Sequence, residues 1–334
     1  MLDSLVDHLV CPTCEEPVTV SEKGQEEAAE ILSGTLTCHG CRKEFPIISG
    51  IPHMEIGDPT TAQDHVADSF GFEWNLYHNG KLETGDVLWG RKLEDEVATF
   101  CETLKVTPES IKGKWVLDAG CGSGFLTLEL ARRFPETIFV GLDINPSLSK
   151  LFSKAREYSN LRIVQGSLFN IPFDDETFDF IWSNGVIHHT GDTRRAFDAL
   201  TRKLKRDGRA YVWVYQKKFS LMAGLRLALL PLGLTVWNHR FLLRFCEVIT
   251  VPTWLAVKFL ALIGRIPITQ RSTHGRILLR DRGFKELVLT WFDVLSPRYR
   301  DTYTKKEFEG WFVESGYRDI KQYWYPVGVS GTRG

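Results

Sequence analysis

The chain has 334 residues, 43% of them hydrophobic and 25% charged, with a net charge of −1 and an isoelectric point near 6.8. That is a globular composition, long enough for one catalytic domain and a small module, and it gives no chain-wide attraction to nucleic acid. The opening MLDSLVDHLV lacks the basic, apolar and small-residue regions of a signal peptide, so a reducing cytoplasmic setting is expected.

Residues 1–56 carry four of the seven cysteines, as Cys11-x-x-Cys14 and Cys38-x-x-Cys41 with 23 residues between the pairs. Each CxxC turn offers two thiolates at a bite that suits tetrahedral zinc, and a chain without an export signal favours metal over disulfides. A zinc ribbon is therefore expected, small enough to draw most of its folding energy from the metal and to unfold without disturbing the rest. The other cysteines, Cys101, Cys121 and Cys246, stand far apart.

Residues 57–112 read as a helical connector in two pieces. Phe70, Trp74 and Tyr77 fall on one helical face, which either packs on the next domain or forms a lid over a ligand. Residues 113–218 alternate strand and helix: KWVLDAG, TIFVGLDI, LRIVQGSL, FDFIWSNG and GRAYVWVY are strands, and FLTLELARRF, SLSKLFSKAREY and TRRAFDALTRKL are helices. This rhythm specifies an α/β, doubly wound, Rossmann-like parallel sheet.

Residues 219–300 form a helical insertion. LMAGLRLALLPLGLTVW and VITVPTWLAVKFLALIG are strongly apolar, but the longest uncharged stretch, Leu227 to His239, is interrupted by Pro231 and too short to span a bilayer. The insertion either roofs the active site or touches lipid peripherally through residues 219–267. From Arg265 to Lys306, ten Lys and Arg face four Asp and Glu, a local excess of six positive charges. Residues 301–334 supply a last helix, stopped at Gly316, and a last strand that completes the sheet.

Chemistry concentrates after the first strand. Asp118 is followed by Gly120, Gly122 and Gly124, a GxGxG loop between strand and helix where the backbone can pass close to a ligand. Asp143 ends the next strand, placed to accept both hydroxyls of a ribose. Strand, loop, helix, strand and acid in that order make a nucleoside pocket.

The run VLDAGCGSGFLTLEL, GLDINPS and GSLFNIPFDDETFDFIWSNGVIHH resembles the class I S-adenosylmethionine (SAM)-dependent methyltransferases over about residues 114–215. The resemblance implies SAM as cofactor, with Gly120, Gly122 and Gly124 along its methionine and ribose side. It puts Asp143 on the ribose and Ile144 against the adenine. Ser167 and Leu168 come at the adenine edge, and Asn184 and Gly185 beside the methionine. Ser167 departs from the family pattern, which has an Asp there; a neutral hydroxyl is the weaker acceptor. The first 56 residues resemble the Trm112-type zinc ribbon, through the four cysteines, Phe45-Pro46-Ile47 and Gly50-Ile51-Pro52. In that family the ribbon partners methyltransferases.

His188 and His189 follow the fourth strand at the edge where reacting groups sit, and histidine titrates near neutrality, so either is a candidate base. Tyr215 and Glu73 are weaker candidates. The apolar insertion and its basic flank point to an amphiphilic or anionic small molecule, such as a lipid, glycan-lipid or secondary metabolite, and methylation on oxygen is expected. A zinc-ribbon RNA base methyltransferase is a second reading, disfavoured by the charge balance and by Ser183-Asn184-Gly185-Val186 where an NPPY-type motif would stand. A non-catalytic SAM-fold scaffold is a third, disfavoured by the intact glycine loop.

Overall fold

The structure, a computed structural model, describes residues 3–27, 30–55, 61–79, 87–88, 91–217, 224, 226–228, 231, 233, 238–263, 269–271, 276–278, 283–323 and 327–334. Two sheets organise it, one of four strands in the ribbon and a main sheet of seven strands. In the ribbon these are β1 (Val18–Lys23), β2 (Ser33–Cys38), β3 (Glu44–Ile48) and β4 (Ile51–Pro52). In the main sheet they are β5 (Trp115–Ala119), β6 (Ile138–Asp143), β7 (Leu161–Gln165), β8 (Phe178–Asn184), β9 (Leu204–Val214), β10 (Tyr317–Tyr323) and β11 (Val327–Arg333). The seven-stranded order is β7-β6-β5-β8-β9-β11-β10, with β11 antiparallel to both neighbours and the first five strands parallel. All five residues of β7 are buried, Arg162 and Gln165 among them. Strand order reverses beside β5, so the carboxyl ends of β5 and β8 flank the crevice where open α/β sheets bind ligands.

The expected strands and helices of the central domain are all present. The C-terminal segment holds two strands rather than one. In β11, Gly328 lies so close to Tyr211 that a side chain would sit 2.6 Å from its hydroxyl oxygen. The glycines that make room for Tyr211 and Tyr317 also erase the alternating apolar pattern by which a strand is read.

Helices α1 (Thr61–His78) and α2 (Leu93–Leu104) are the two pieces of the connector. The core helices are α3 (Phe125–Arg133), α4 (Leu148–Ala155) and α5 (Thr193–Lys203). Within the insertion, α6 (His239–Leu262) packs on α7 (Phe284–Leu295) through Leu242, Cys246, Val288 and Phe292. A short hairpin pairs Thr269–Arg271 with Arg276–Leu278, which the helical reading of this region did not anticipate. Much of the apolar run LMAGLRLALLPLGLTVW lies outside the described residues. The last helix, α8 (Lys305–Glu314), opens on a capping box between Thr304 and Glu307, and Gly316 beyond its end takes a left-handed φ of 74°.

The ribbon is welded to the catalytic sheet, contrary to the expectation of an independent module. Leu5, Leu9, Phe45, Ile47 and Met54 share one buried cluster with Leu117, Val164 and Phe173. Met54 N–H donates to the Gln165 carbonyl at 2.7 Å, and Val10 N–H to the Pro172 carbonyl at 3.2 Å. A module too small to bury its own core borrows one; each large apolar side chain so buried contributes about 1.5–3 kcal/mol.

Candidate functional site

The glycine loop is held by its neighbours. Gly120 N–H bonds the Leu142 carbonyl at 2.8 Å, and Gly122 N–H donates to Asp143 Oδ2, also at 2.8 Å. Asp143 Oδ1 accepts from Asn145 N–H at 2.9 Å, so the carboxylate at the end of β6 ties two loops together. Gly122 has a φ of +56°, and a Cβ there would lie 2.7 Å from the indole of Trp74. The loop is thus covered: α1 crosses it and sets Trp74 on Gly122. Gly120 and Gly124 meet Val186 and Leu151 in the same way.

Asp118 turns away from the crevice toward α3, where Thr127 Oγ1 donates to it at 2.5 Å. Burial pushes this carboxyl up to about 7, with the Thr127 bond opposing and Asp143 adding to the rise. Burial also raises Asp143, against the hydrogen bonds it accepts from the loops. Asn145, which the sequence reading passed over, buries an amide nitrogen with no hydrogen-bond partner among the described residues, although its Oδ1 accepts from Ser147 N–H and Oγ. A buried carboxylate beside an orphaned amide donor suits a ligand rich in hydroxyls. Ile144 is partly exposed next to them. Ser167 caps its own turn by accepting from Phe169 N–H at 3.2 Å, while Leu168 belongs to the core. Asn184 Nδ2 donates to the buried Glu96 at 3.3 Å, and Gly185 adopts a φ of +82° against the Trp213 ring.

At the ends of β8 and β9 a second group assembles from distant segments. His188 is 0% exposed and neither ring nitrogen has a hydrogen-bond partner among the described residues. Its ring lies 4.1 Å from both the His189 and Tyr215 rings and 6.1 Å from Trp213. Burial, His189 and Arg300 all push its pKa well below the ordinary histidine value, so it is neutral. His189 is lowered too, chiefly by burial, and its Nδ1 bonds the Tyr299 carbonyl at 2.8 Å. Phe70 of α1 packs edge-on against His189 at 5.1 Å, and Tyr215 donates to Asp293 Oδ2 of α7 at 2.7 Å. Arg300 lies 4.3 Å over the Tyr215 ring. Glu73 is fully buried and adds its charge to the forces raising the Tyr215 phenol, among which burial is largest. The four candidates His188, His189, Tyr215 and Glu73 thus converge. Asp293, Tyr299 and Arg300 were missed, since nothing local distinguishes them within a basic segment.

The four N-terminal cysteines also converge, their sulfurs all within 4.8 Å of one another. Cys11 and Cys41 are 3.6 Å apart, Cys14 and Cys38 3.4 Å. A tetrahedron with 2.3 Å metal–sulfur bonds has edges of about 3.8 Å, so the four thiols fit one zinc ion. Among the described residues no helix is long and apolar enough to cross a membrane.

Residues 117–212 match the family described as "Methyltransferase domain". Malonyl-acyl-carrier-protein O-methyltransferase of Nitrosospira multiformis is 28% identical over 135 residues, 35% of this chain and 42% of its own. The phthiotriol/phenolphthiotriol dimycocerosates methyltransferase of Mycobacterium tuberculosis is 33% identical over 102 residues, 30% of this chain and 38% of its own. Among solved structures, magnesium protoporphyrin IX methyltransferase from Synechocystis, with bound SAH, aligns at 15% identity and a TM-score of 0.45, over 83% of this chain and all of that one. The chain spans about two fifths of the length of the curated relatives it matches. Residues 117–212, which hold the glycine loop and the first five strands of the sheet apart from the ends, thus match a methyltransferase domain. The chain carries that domain behind a four-cysteine ribbon.

Because the Asp118 carboxyl has a folded pKa of about 7, above its ordinary 3.8, it favours the fold while protonated. Its contribution is complete below about pH 4 and is lost as pH rises through about 7. Asp118→Asn keeps an oxygen for Thr127 without the charge. Its Tm, measured against wild type, should therefore gain steadily between about pH 4 and pH 8; parallel curves would show that Asp118 is not so perturbed.

Proposed function

We propose that the chain transfers the methyl group of SAM to an oxygen of a small amphiphilic or lipid-like acceptor, with His188 as the base. The observation that carries this reading is His188 itself: fully buried, neutral, and with two unpartnered ring nitrogens at the crevice edge. A buried polar atom without a partner costs about 1–3 kcal/mol unless a ligand satisfies it, and an acceptor hydroxyl does so by donating. Asp143 would take the ribose hydroxyls and Asn145 Nδ2 would donate beside it. Gly120, Gly122 and Gly124 would line the methionine side with Asn184 and Gly185, and Ile144, Ser167 and Leu168 the adenine side. Asp118 would fix the loop from behind.

SAM supplies a methyl group already activated on a sulfonium. The protein's task is to hold the acceptor oxygen in line, keep water out and take the proton. Trp74 and Phe70 of α1 exclude water from above. His188 accepts the hydroxyl proton as the carbon–oxygen bond forms and the carbon–sulfur bond breaks, and Tyr215, fixed by Asp293 and Arg300, sets the angle of the His188 ring. Two relatives, named for malonyl-acyl-carrier protein and for phthiotriol/phenolphthiotriol dimycocerosates, support an acyl or lipid-like acceptor, and the aromatic walls suit one. The test incubates the protein with methyl-labelled SAM and a lipid and metabolite extract. His188→Asn should lower labelling by at least about 100-fold with SAM affinity unchanged. Wild-type labelling should show no fall near pH 6.5, because His188 stays neutral there. Unchanged labelling in His188→Asn would assign the proton to another group.

We further propose that Cys11, Cys14, Cys38 and Cys41 hold one structural zinc. Elemental analysis should find about one zinc per chain. Cys38→Ser should lower the melting of the whole chain in one transition, since ribbon and sheet share a core. An early, separate ribbon transition, or chelator-free protein lacking zinc, would contradict this.

A further inference from the structure

The segment that follows α7 is fastened to the histidine pair on both sides of Arg300. The Tyr299 carbonyl bonds His189 Nδ1 at 2.8 Å, and Asp301 N–H donates to the His188 carbonyl at 3.0 Å. Asp301 Oδ2 also accepts from Thr193 Oγ1, at the start of α5, at 2.8 Å. Arg300 is thereby held at the crevice, its guanidinium carbon 4.3 Å from the centre of the Tyr215 ring. Its Nε is buried without a hydrogen-bond partner among the described residues. Neither Asp293 nor Glu73, nor any other described carboxylate, is ion-paired with it; Asp293 Oδ2 instead takes the Tyr215 hydroxyl at 2.7 Å. A second guanidinium, Arg226, is buried nearby, and its Nη atoms donate to the Val294, Leu295 and Pro297 carbonyls. Both arginines push the pKa of His189 down, so their positive charge reaches the histidine pair.

We propose that Arg300 binds a carboxylate of the methyl acceptor, which is therefore a hydroxy acid: its hydroxyl is methylated at His188 and its carboxylate is held by Arg300. The inference rests on the reading that the acceptor sits in this crevice with a hydroxyl at His188. A guanidinium stacks through its face and donates through its edge, so the contact with Tyr215 leaves the Nε edge for a bidentate carboxylate. A half-buried cation without a counter-charge is costly, and an acceptor carboxylate supplies both the charge and the partner that Nε lacks. A phosphate suits the place less well, since its further oxygens call for a second guanidinium and the Nη atoms of Arg226 are engaged by backbone carbonyls. His188 and Arg300 lie against the same ring, 4.1 and 4.3 Å from the centre of Tyr215, which keeps the two groups within the span of one small molecule. A carboxylate engaged by a guanidinium is also a poorer nucleophile, which leaves the hydroxyl as the oxygen that takes the methyl group. Phe70 and Trp213 beside the histidines suit the apolar body of such an acid.

The test splits a metabolite extract by anion exchange into acidic and neutral fractions and incubates each with the full chain and methyl-labelled SAM. Label should enter the acidic fraction, in products that stay acidic, hold the label in mild alkali and keep their charge after phosphatase treatment. Arg300→Gln should raise the amount of acidic fraction needed for half-maximal labelling at least about tenfold, the scale of a lost charge-assisted pair. Its plateau and its affinity for S-adenosylhomocysteine should change little, because the lost contact holds the acceptor in ground and transition states alike. Arg300→Lys keeps the charge without the planar fork and should fall between the two, whereas a merely structural stack on Tyr215 would leave it no better than Arg300→Gln. Label confined to the neutral fraction, label released by alkali as from a methyl ester, or charge removed by phosphatase would each overturn the proposal. Arg300→Gln labelling like wild type while His188→Asn is impaired would overturn the carboxylate and leave the acceptor site in place. Both variants labelling like wild type would overturn the site as well.

Discussion

The indole of Trp74 rests on Gly122, and the arrangement of the site depends on that contact. A glycine loop without cover would leave the carboxyl edge of the sheet open to water. Here a side chain at Gly122 and the indole of α1 compete for the same space, so the loop's lack of side chains and the helix's position are one constraint. With α1 anchored there, Phe70 reaches His189, Glu73 is buried beside Tyr215, and Phe72 meets α6 and α7. Gly71 passes close to Pro146 of the loop after β6, fastening the same helix to the Asp143 side. One helix therefore links the nucleoside side, the histidine pair and the insertion.

The ribbon is a second structural dependency. Its β4 leads into a pairing of His53 with Gln165, and Gln165 Nε2 bonds both Glu55 and the Ile144 carbonyl. Loss of ribbon structure would thus reach the Asp143 loop through hydrogen bonds as well as through the shared core. Ion pairs from Arg202 to Glu15 and from Arg156 to Glu30 add surface links, each worth little in water.

The parts legible in the sequence were those with local signatures. The βαβ rhythm, the glycine loop, Asp143 and the double CxxC each lie within a short window, where spacing and residue type determine the geometry. Phe70, Trp74 and Tyr77 were legible as a face, and the contacts of Trp74 with Gly122 and of Phe70 with His189 show what that face covers. The surroundings of His188 were not legible, because Asp293, Tyr299 and Arg300 arrive from about 105 to 112 positions away and carry no motif. The ribbon's union with the sheet was hidden for a similar reason: apolar residues such as Leu9 and Phe45 look alike whether they bury against their own module or another. Strand β11 escaped because its glycines answer to Tyr211 and Tyr317 rather than to a strand pattern.

The central claim is that α1 ties the glycine loop, the Asp143 side, the histidine pair and helices α6 and α7 into one unit. Hydrogen exchange with and without S-adenosylhomocysteine tests it most directly. Added protection in residues 66–78 of α1 and 239–250 of α6, together with the glycine loop, is expected, because Trp74 and Phe72 couple them. Protection confined to residues 120–124 and 143–145, with α1 and α6 exchanging as before, would contradict it.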